Sequence, residues 1–391
     1  MTKTGGKVCR LLSKRYLCLV MAGIYLHIPF CKSRCIYCGF FSTTSMVKCE
    51  AYVDALKREL QDRVKFLSGD AIDTIYFGGG TPSLLPLPAL QNLLRHIFNI
   101  YNVRENAEIT LEGNPDDLTP DVLHSLCEIG INRISMGVQT FNDDRLRFLC
   151  RRHNSAQAIQ AVRNAQEAGF RNISIDLMFG FPDQTLDEWQ TDVSQALSLG
   201  VQHLSAYSLM YEEGTTLYRM LEAGKIREMD DDCSLLMYEH LIDATHAAGF
   251  EHYELSNFAL PGYHSRHNSS YWHGIPYLGV GAGAHSYDGH ARYFHADSLE
   301  AYLSGTPWEK ESLTDHERYD EFVFTGLRTS DGICLTTLEH QFGSEAKEYC
   351  LQNAQRHLKA GLLSLSGDVM RLTRSGLFIS NEVMSDLMWT D

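Results

Sequence analysis

No apolar run in the 391-residue sequence reaches the roughly 18 residues that a membrane-crossing helix needs, so no transmembrane helix is expected. Positive charge is scarce as well. Lysine and arginine total 34 against 49 aspartates and glutamates, a formal charge of −15, and such a surface repels the phosphates of nucleic acid. Low-complexity segments and internal repeats are absent, which excludes a repeat architecture. Lys3, Lys7, Arg10, Lys14 and Arg15 precede the apolar stretch YLCLVMAGIYL, but no small-residue cleavage site follows, so a secretory signal is not the reading. Residues 1–20 are expected to be a disordered tail or an upstream start, with Met21 beginning the natural protein. The cysteines number 11, an odd count, and Cys49, Cys127, Cys233 and Cys350 are scattered. That suits free thiols in a reducing cytoplasm better than a disulfide framework.

Hydrophobic residues at 44% and charged residues at 21% describe an ordinary globular chain, long enough for a large barrel plus a smaller domain. From residue 23 to about 210, β-rich runs alternate with helical patterns, as parallel βαβ units do. The strands are expected at 23–28, 72–77, 107–112, 132–138, 171–179 and 202–209. A helix is expected from Glu50 to Leu67, with Val53, Leu56, Leu60, Val64 and Leu67 on one face. Others start at Thr119, Ser155 and Thr185 and stop at Gly130, Gly169 and Gly200. Polar residues cluster at the C-terminal ends of successive strands, the face that carries chemistry in (β/α) barrels. The fold class expected is α/β, an incomplete (β/α)6 barrel over residues 21–305. Residues 306–391 read as a small, mainly helical domain with a winged-helix-like hairpin in LLSLSGDVMRLTRSGLFIS.

The chemistry centres on HIPFCKSRCIYCGFF, where Cys31, Cys35 and Cys38 have CxxxCxxC spacing. Three thiolates on one tight loop can each bind an iron of a 4Fe-4S cluster and leave the fourth iron open. A structural zinc site needs a fourth ligand, normally from a second paired motif, and no second CxxC exists. This spacing, with Tyr37 before the last cysteine, resembles the radical S-adenosylmethionine (SAM) superfamily. The resemblance implies that SAM chelates the open iron and that electron transfer from the cluster cleaves its sulfonium.

Within that superfamily, YLHIPFCKSRCIYCGFFS, FGGGTPS, MGVQTFN and DLMFGFPDQT resemble the oxygen-independent coproporphyrinogen oxidase group. Carried over by position, Tyr25, Tyr37, Gly79, Gly80, Thr81, Glu112, Gln139, Arg151 and Asp176 are expected to line the SAM site. Glu112 suits the methionine ammonium, Arg151 its carboxylate and Asp176 a ribose hydroxyl, while the glycines allow close backbone approach.

Two functions share this scaffold, a coproporphyrinogen III dehydrogenase and a HemW-type heme chaperone. The dehydrogenase pattern continues with glycine and a fourth cysteine, where this chain has Gly39 and Phe40. HNSSYW at 267–272 matches the HNxxYW motif associated with heme binding in the chaperones, which makes His267, Tyr271 and Trp272 heme candidates. Seven of the 17 histidines (252, 264, 267, 273, 285, 290, 295) surround that motif, so the axial ligand is open among them. The reading is a cytoplasmic chaperone that passes heme to a recipient hemoprotein and draws on an unidentified electron donor. Coproporphyrinogen dehydrogenase activity is not expected. A radical enzyme with another substrate is the third reading.

Overall fold

Strands of this chain put aliphatic side chains on one face and polar ones on the other, and that period of two decides the architecture. In β1 (Met21–Ile28), Ile24, Leu26 and Ile28 are fully buried beneath helices, while Tyr25 and His27 point the opposite way. The computed structural model describes residues 21–67 and 69–389, so the tail expected at 1–20 lies outside the described residues. β2 (Ala71–Gly79), β3 (Val103–Gly113), β4 (Arg133–Gln139), β5 (Ile173–Phe179) and β6 (His203–Ser208) follow β1 in spatial order, each parallel to the last. The crossovers contain α1 (Cys49–Asp62), α2 (Leu87–Ile100), α3 (Pro120–Glu128), α4 (Asp143–Phe148), α5 (Ser155–Glu167) and α6 (Leu186–Ser198).

Most helix boundaries follow local chemistry. Thr119 and Thr185 cap α3 and α6 as expected, accepting from Val122 N and Glu188 N. The cap of α5 is Asn154 rather than Ser155, because Asn154 and Gln157 form a reciprocal capping box. The first helix stops at Asp62, so Val64 and Leu67 lie in turns beyond it, although Leu67 still packs into the core.

Six strands are not the whole sheet. β7 (Glu251–Glu254) and β8 (Asn257–Ala259) add antiparallel strands beyond β6. β9 (Tyr277–Val280) pairs parallel with β1 and leads to antiparallel β10 (His285–Tyr287), β11 (Ala291–Phe294) and β12 (Glu309–Ser312). Among the described residues the sheet therefore has twelve strands and two edges, an open barrel, and it reaches past the boundary expected at residue 305. Between these strands lie α7 (Thr216–Glu222), α8 (Asp231–Ala247), α9 (Arg266–Trp272) and α10 (Leu299–Leu303).

The C-terminal region has its own core, including Tyr319, Val323, Leu338, Cys350, Met370 and Met384. It comprises α11 (Asp315–Leu327), α12 (Leu335–Lys359, bent at Gly343), α13 (Arg374–Leu377), α14 (Ser380–Leu387) and a three-stranded sheet of β13 (Ile333–Cys334), β15 (Val369–Leu372) and β14 (Leu363–Ser366). The hairpin expected in this region is the β14–β15 pair. Among the described residues no helix is long and apolar enough to cross a membrane.

The short helix α9, which carries HNSSYW, is fixed against the N-terminal halves of the barrel strands. The buried Glu108 carboxylate on β3 accepts from the backbone N–H of Arg266 (3.2 Å) and His267 (3.1 Å), the otherwise unpaired donors of the first turn. Arg266 also pairs with Asp73 at 2.7 Å and donates to the Asn106 carbonyl. Replacing Glu108 with alanine strands those buried donors and is expected to cost about 2 kcal/mol or more in urea unfolding. An unchanged midpoint would mean that α9 is held by something else.

Candidate cluster and cofactor site

The loop after β1 is tied down at both ends. Cys31 N donates to the Thr43 carbonyl (2.9 Å), and Thr43 N to that of Pro29 (2.7 Å). In its middle, Ile36 N meets the Leu149 carbonyl and Leu217 N meets the Ile36 carbonyl. Ile36 and Tyr37 pack on Leu149, Met178, Phe181, Leu209 and Leu217, so the cysteines stand at the C-terminal ends of the strands. Cys31, Cys35 and Cys38 are free thiols. Burial pushes the Cys31 and Cys38 thiols up, and the charge of Cys35 adds to both. Among the described residues no three such side chains stand at the spacing of a completed metal centre. The thiols are nonetheless close enough to perturb one another, and one cationic and one neutral donor flank them. Arg151 Nη1 lies 3.4 Å from Cys35 Sγ, and the Thr81 hydroxyl donates to Cys31 Sγ at 3.5 Å.

Arg151 is a junction. Its Nη2 donates to the Gly137 carbonyl (2.6 Å) and to Asn114 Oδ1, and the Asn114 amide donates to Thr81. Its Nε is buried without a partner, a donor left for a ligand at the cluster loop. Asn114 was not anticipated from the sequence. Its position just past the end of β3, two residues after Glu112, is the signal that could have found it.

Glu112 accepts from the Tyr76 hydroxyl at 2.7 Å and from Gly79 N at 3.2 Å. Burial pushes its carboxyl up to about 7, against the opposing pull of these two bonds. Asp176 lies on the neighbouring part of the interior, with the Ser135 hydroxyl donating at 3.4 Å, and burial lifts it to about 6. Tyr25 shares a hydrogen bond of 3.2 Å with His27 Nδ1 and stacks on Tyr76. Gln139 ends β4 in a left-handed conformation (φ 71°). Tyr76 and His27 were also missed by the sequence reading, although both sit on the inward register with Tyr25.

The glycines serve the protein's own packing first. A Cβ on Gly79 (φ 107°) would stand 2.6 Å from the His27 ring, and one on Gly80 would stand 2.9 Å from the carbonyl oxygens of Ile28 and Phe30. The loop after β2 is thus pressed against the end of β1, beside the cysteines. The thiol set, the unpartnered Arg151 donor and the half-buried Glu112 carboxylate together fit an iron-sulfur cluster with a cationic, amino-acid-bearing cofactor.

The HNSSYW motif is arranged differently from the expected ligand site. His267 is 1% exposed, and both ring nitrogens are engaged, Nδ1 with the Thr74 hydroxyl (2.7 Å) and Nε2 with the Tyr271 hydroxyl (2.8 Å). Burial and the nearby Arg133 hold it neutral, with its pKa down at about 3. In this geometry the imidazole turns no lone pair outward. Tyr271 is likewise interior, edge-on to Tyr277. Trp272 borders a cavity of about 270 Å³ shared with His264, Arg266, His273, Ser330 and Asp331. Its indole nitrogen is buried without a partner, and the Arg328 guanidinium lies 4.6 Å over its ring. His264 and His273 flank the cavity, paired with Glu251 and Asp331. The other histidines of the group do not converge there. His295, for instance, pairs with Glu59 on α1.

The chain resembles known proteins in sequence and in fold. A family model described as the radical SAM superfamily matches residues 25–196, and one described as the HemN C-terminal domain matches residues 313–379. A protein named heme chaperone HemW from Lactococcus lactis is 34% identical over 94% of this chain and 97% of its own length. Its namesake from Bacillus subtilis is 35% identical over 93% and 98%. A zebrafish (Danio rerio) protein named radical S-adenosyl methionine domain-containing protein 1, mitochondrial, is 31% identical over 94% and 87%. Among solved structures, coproporphyrinogen III oxidase (HemN) from Escherichia coli superposes with a TM-score of 0.83 at 22% identity, covering 95% of this chain and 90% of that one. At that identity the likeness establishes the fold.

A carboxyl with a raised pKa binds its proton more tightly in the folded state. The ligand-free protein should therefore lose stability as pH rises from the unfolded value of 4.5 towards about 7. Glu112 is expected to contribute about 2 kcal/mol of that loss, after allowance for its partial access to solvent. Glu112→Gln should remove that slope in urea unfolding across pH and leave the one that Asp176 imposes between 3.8 and about 6. A profile unaltered by the substitution would contradict the burial of this charge.

Proposed function

The chain belongs to the HemW family of radical SAM proteins, and from that premise we propose that it is a heme chaperone, which binds heme and delivers it to a recipient hemoprotein. The observation that carries this reading is similarity to proteins of that name over nearly their whole length. Phe40 supports it. It takes the place of the dehydrogenase pattern's fourth cysteine and stands 69% exposed at the mouth of the barrel.

In this reading Cys31, Cys35 and Cys38 hold a 4Fe-4S cluster, and SAM lies among Tyr25, Tyr37, Gly79, Gly80, Thr81, Glu112, Gln139, Arg151 and Asp176. When bound, the pair supplies one-electron chemistry fed by an electron donor. Arg151 neutralises a carboxylate beside the thiolates, Glu112 receives an ammonium, and Asp176 accepts from a hydroxyl. The setting is the cytoplasm, with peripheral contact to a membrane where the recipient resides in one.

Heme that must be passed on needs a seat near the surface. Of HNSSYW, Trp272 meets that need, with the His264 and His273 imidazoles beside it as axial candidates. The cavity lies at the small end of ligand pockets. It takes one edge of the macrocycle and leaves the rest exposed for transfer.

The test uses anaerobically reconstituted protein. Heme titration is expected to saturate at one equivalent, and coproporphyrinogen III offered with SAM and a reductant is expected to come back unchanged. Formation of protoporphyrinogen IX would overturn the chaperone reading. His264→Ala or His273→Ala should weaken heme uptake about tenfold or more and shift the Soret band; if neither does, the seat is elsewhere. Cys35→Ala should abolish the brown cluster chromophore, and full iron content in that variant would refute the cluster ligation.

A further inference from the structure

We infer that His267 is a positioning residue of the cofactor site, which fixes the Glu112 carboxylate through the ring of Tyr76. The inference rests on the reading of Glu112 as a SAM-binding group.

The His267 ring is held from both ends by hydroxyls, Thr74 on β2 and Tyr271 on its own helix. A neutral imidazole has one donor and one acceptor nitrogen, and two hydroxyls satisfy both without a charge. Room for the ring is made on β1, where a Cβ on Gly23 would stand 2.8 Å from the Thr74 hydroxyl and 3.2 Å from the imidazole. So clamped, His267 forms a flat floor. Tyr76 stacks on it with ring centroids 5.0 Å apart and planes at 24°, and Tyr25 stacks beside it at 6.2 Å and the same angle.

The other sides of Tyr76 are equally restricted. Tyr25 stacks on it with centroids 6.1 Å apart, and a Cβ on Gly78 would meet both rings at 2.9 Å. The ring plane of Tyr76 is therefore set by its packing. That plane aims the hydroxyl at Glu112 Oε1, 2.7 Å away, while Gly79 N holds the other oxygen. Removing the imidazole takes away the floor, frees the Tyr76 ring to tilt and lets the carboxylate leave its bearing. The helix that carries His267 cannot drift to compensate, because Glu108 and Asp73 pin its first turn. The histidine of HNSSYW thus acts on the SAM side of the barrel wall, while Trp272 of the same motif borders the cavity with His264 and His273.

The experiment is a double-mutant cycle on reconstituted full-length protein, with SAM affinity read from the change in the reduced cluster's EPR signal and heme uptake read from the Soret band. Glu112→Gln, Tyr76→Phe and His267→Leu are each expected to weaken SAM affinity about tenfold, the usual scale for groups that orient a ligand. The double variant His267→Leu/Glu112→Gln should be no weaker than Glu112→Gln by more than about twofold, because both changes break one chain of contacts. Heme uptake by His267→Leu should persist. Wild-type SAM affinity in His267→Leu alongside a weakened Glu112→Gln would overturn the relay, and so would full additivity in the double variant. Loss of heme uptake at unchanged SAM affinity would return His267 to the iron. If Glu112→Gln itself binds SAM normally, the reading of Glu112 fails first. Should His267→Leu not fold, Tyr76→Phe and Tyr271→Phe carry the test, and wild-type affinity in both overturns it.

Discussion

Arg133 stands inside the barrel on β4 with 1% of its surface exposed, and its Nε and Nη1 have no hydrogen-bond partner among the described residues. A guanidinium does not lose its charge when buried, so the groups around it must adapt. Its field pulls the Glu112 and Asp176 carboxyls towards ionisation while burial pushes them the other way. The same field helps to keep His203 and His267 neutral. Burial thus raises the carboxyls and lowers the imidazoles, and the Arg133 charge tempers the first shift and adds to the second. The neutral histidines work as hydrogen-bonding struts. His203 joins Ser174 to Tyr253, as His267 joins Thr74 to Tyr271.

That interior follows from strand periodicity. Parallel strands buried on both faces usually read as continuous apolar runs. Here the inward positions carry Tyr25 and His27, Thr74 and Tyr76, Glu108 and Glu112, Arg133 and Ser135, Ser174 and Asp176, His203 and Ser205. In register, Tyr25 lies beside Tyr76, Tyr76 beside Thr110, and Ser135 beside Ser174. Each polar side chain therefore finds a neighbour one strand over. Arg133, Thr110 and Arg151 each keep a buried polar atom without a hydrogen-bond partner among the described residues.

The six parallel strands and the Thr119 and Thr185 caps were legible in the sequence because they depend on local signals: alternation, hydroxyl caps and terminal glycines. The cysteine loop was legible because its spacing has few other uses. β7 to β12 were not, since strands of three or four residues contain too few alternations to register and owe their existence to an edge supplied by distant β1 or β6. The same limit applied within the site. Glu112 and Arg151 were named by position from the family resemblance, but Tyr76, Asn114 and His27 matter only for what lies across from them. His267 was the hardest to read. Its residue type and neighbours suggested a ligand, and only the three-dimensional partners of its two nitrogens show that they are spoken for.

The motif helix joins parts of the molecule that are far apart in sequence. Its first turn is anchored to β2 and β3, its second residue supports the aromatic pair beneath Glu112, and its last residue lies under Arg328 at the end of α11. Arg328 in turn reaches Glu254 on β7, while Leu255 N donates to the Arg328 carbonyl and Ser330 N to that of Tyr253. A path of contacts therefore runs from Trp272 along this helix to the Tyr76–Glu112 pair. The path is short, with aromatic stacking and paired hydroxyls as its links, and such links transmit displacement better than long flexible side chains do. The two ends of the HNSSYW motif thus bear on different neighbours, the Tyr76–Glu112 pair at His267 and Arg328 at Trp272, through one short helix.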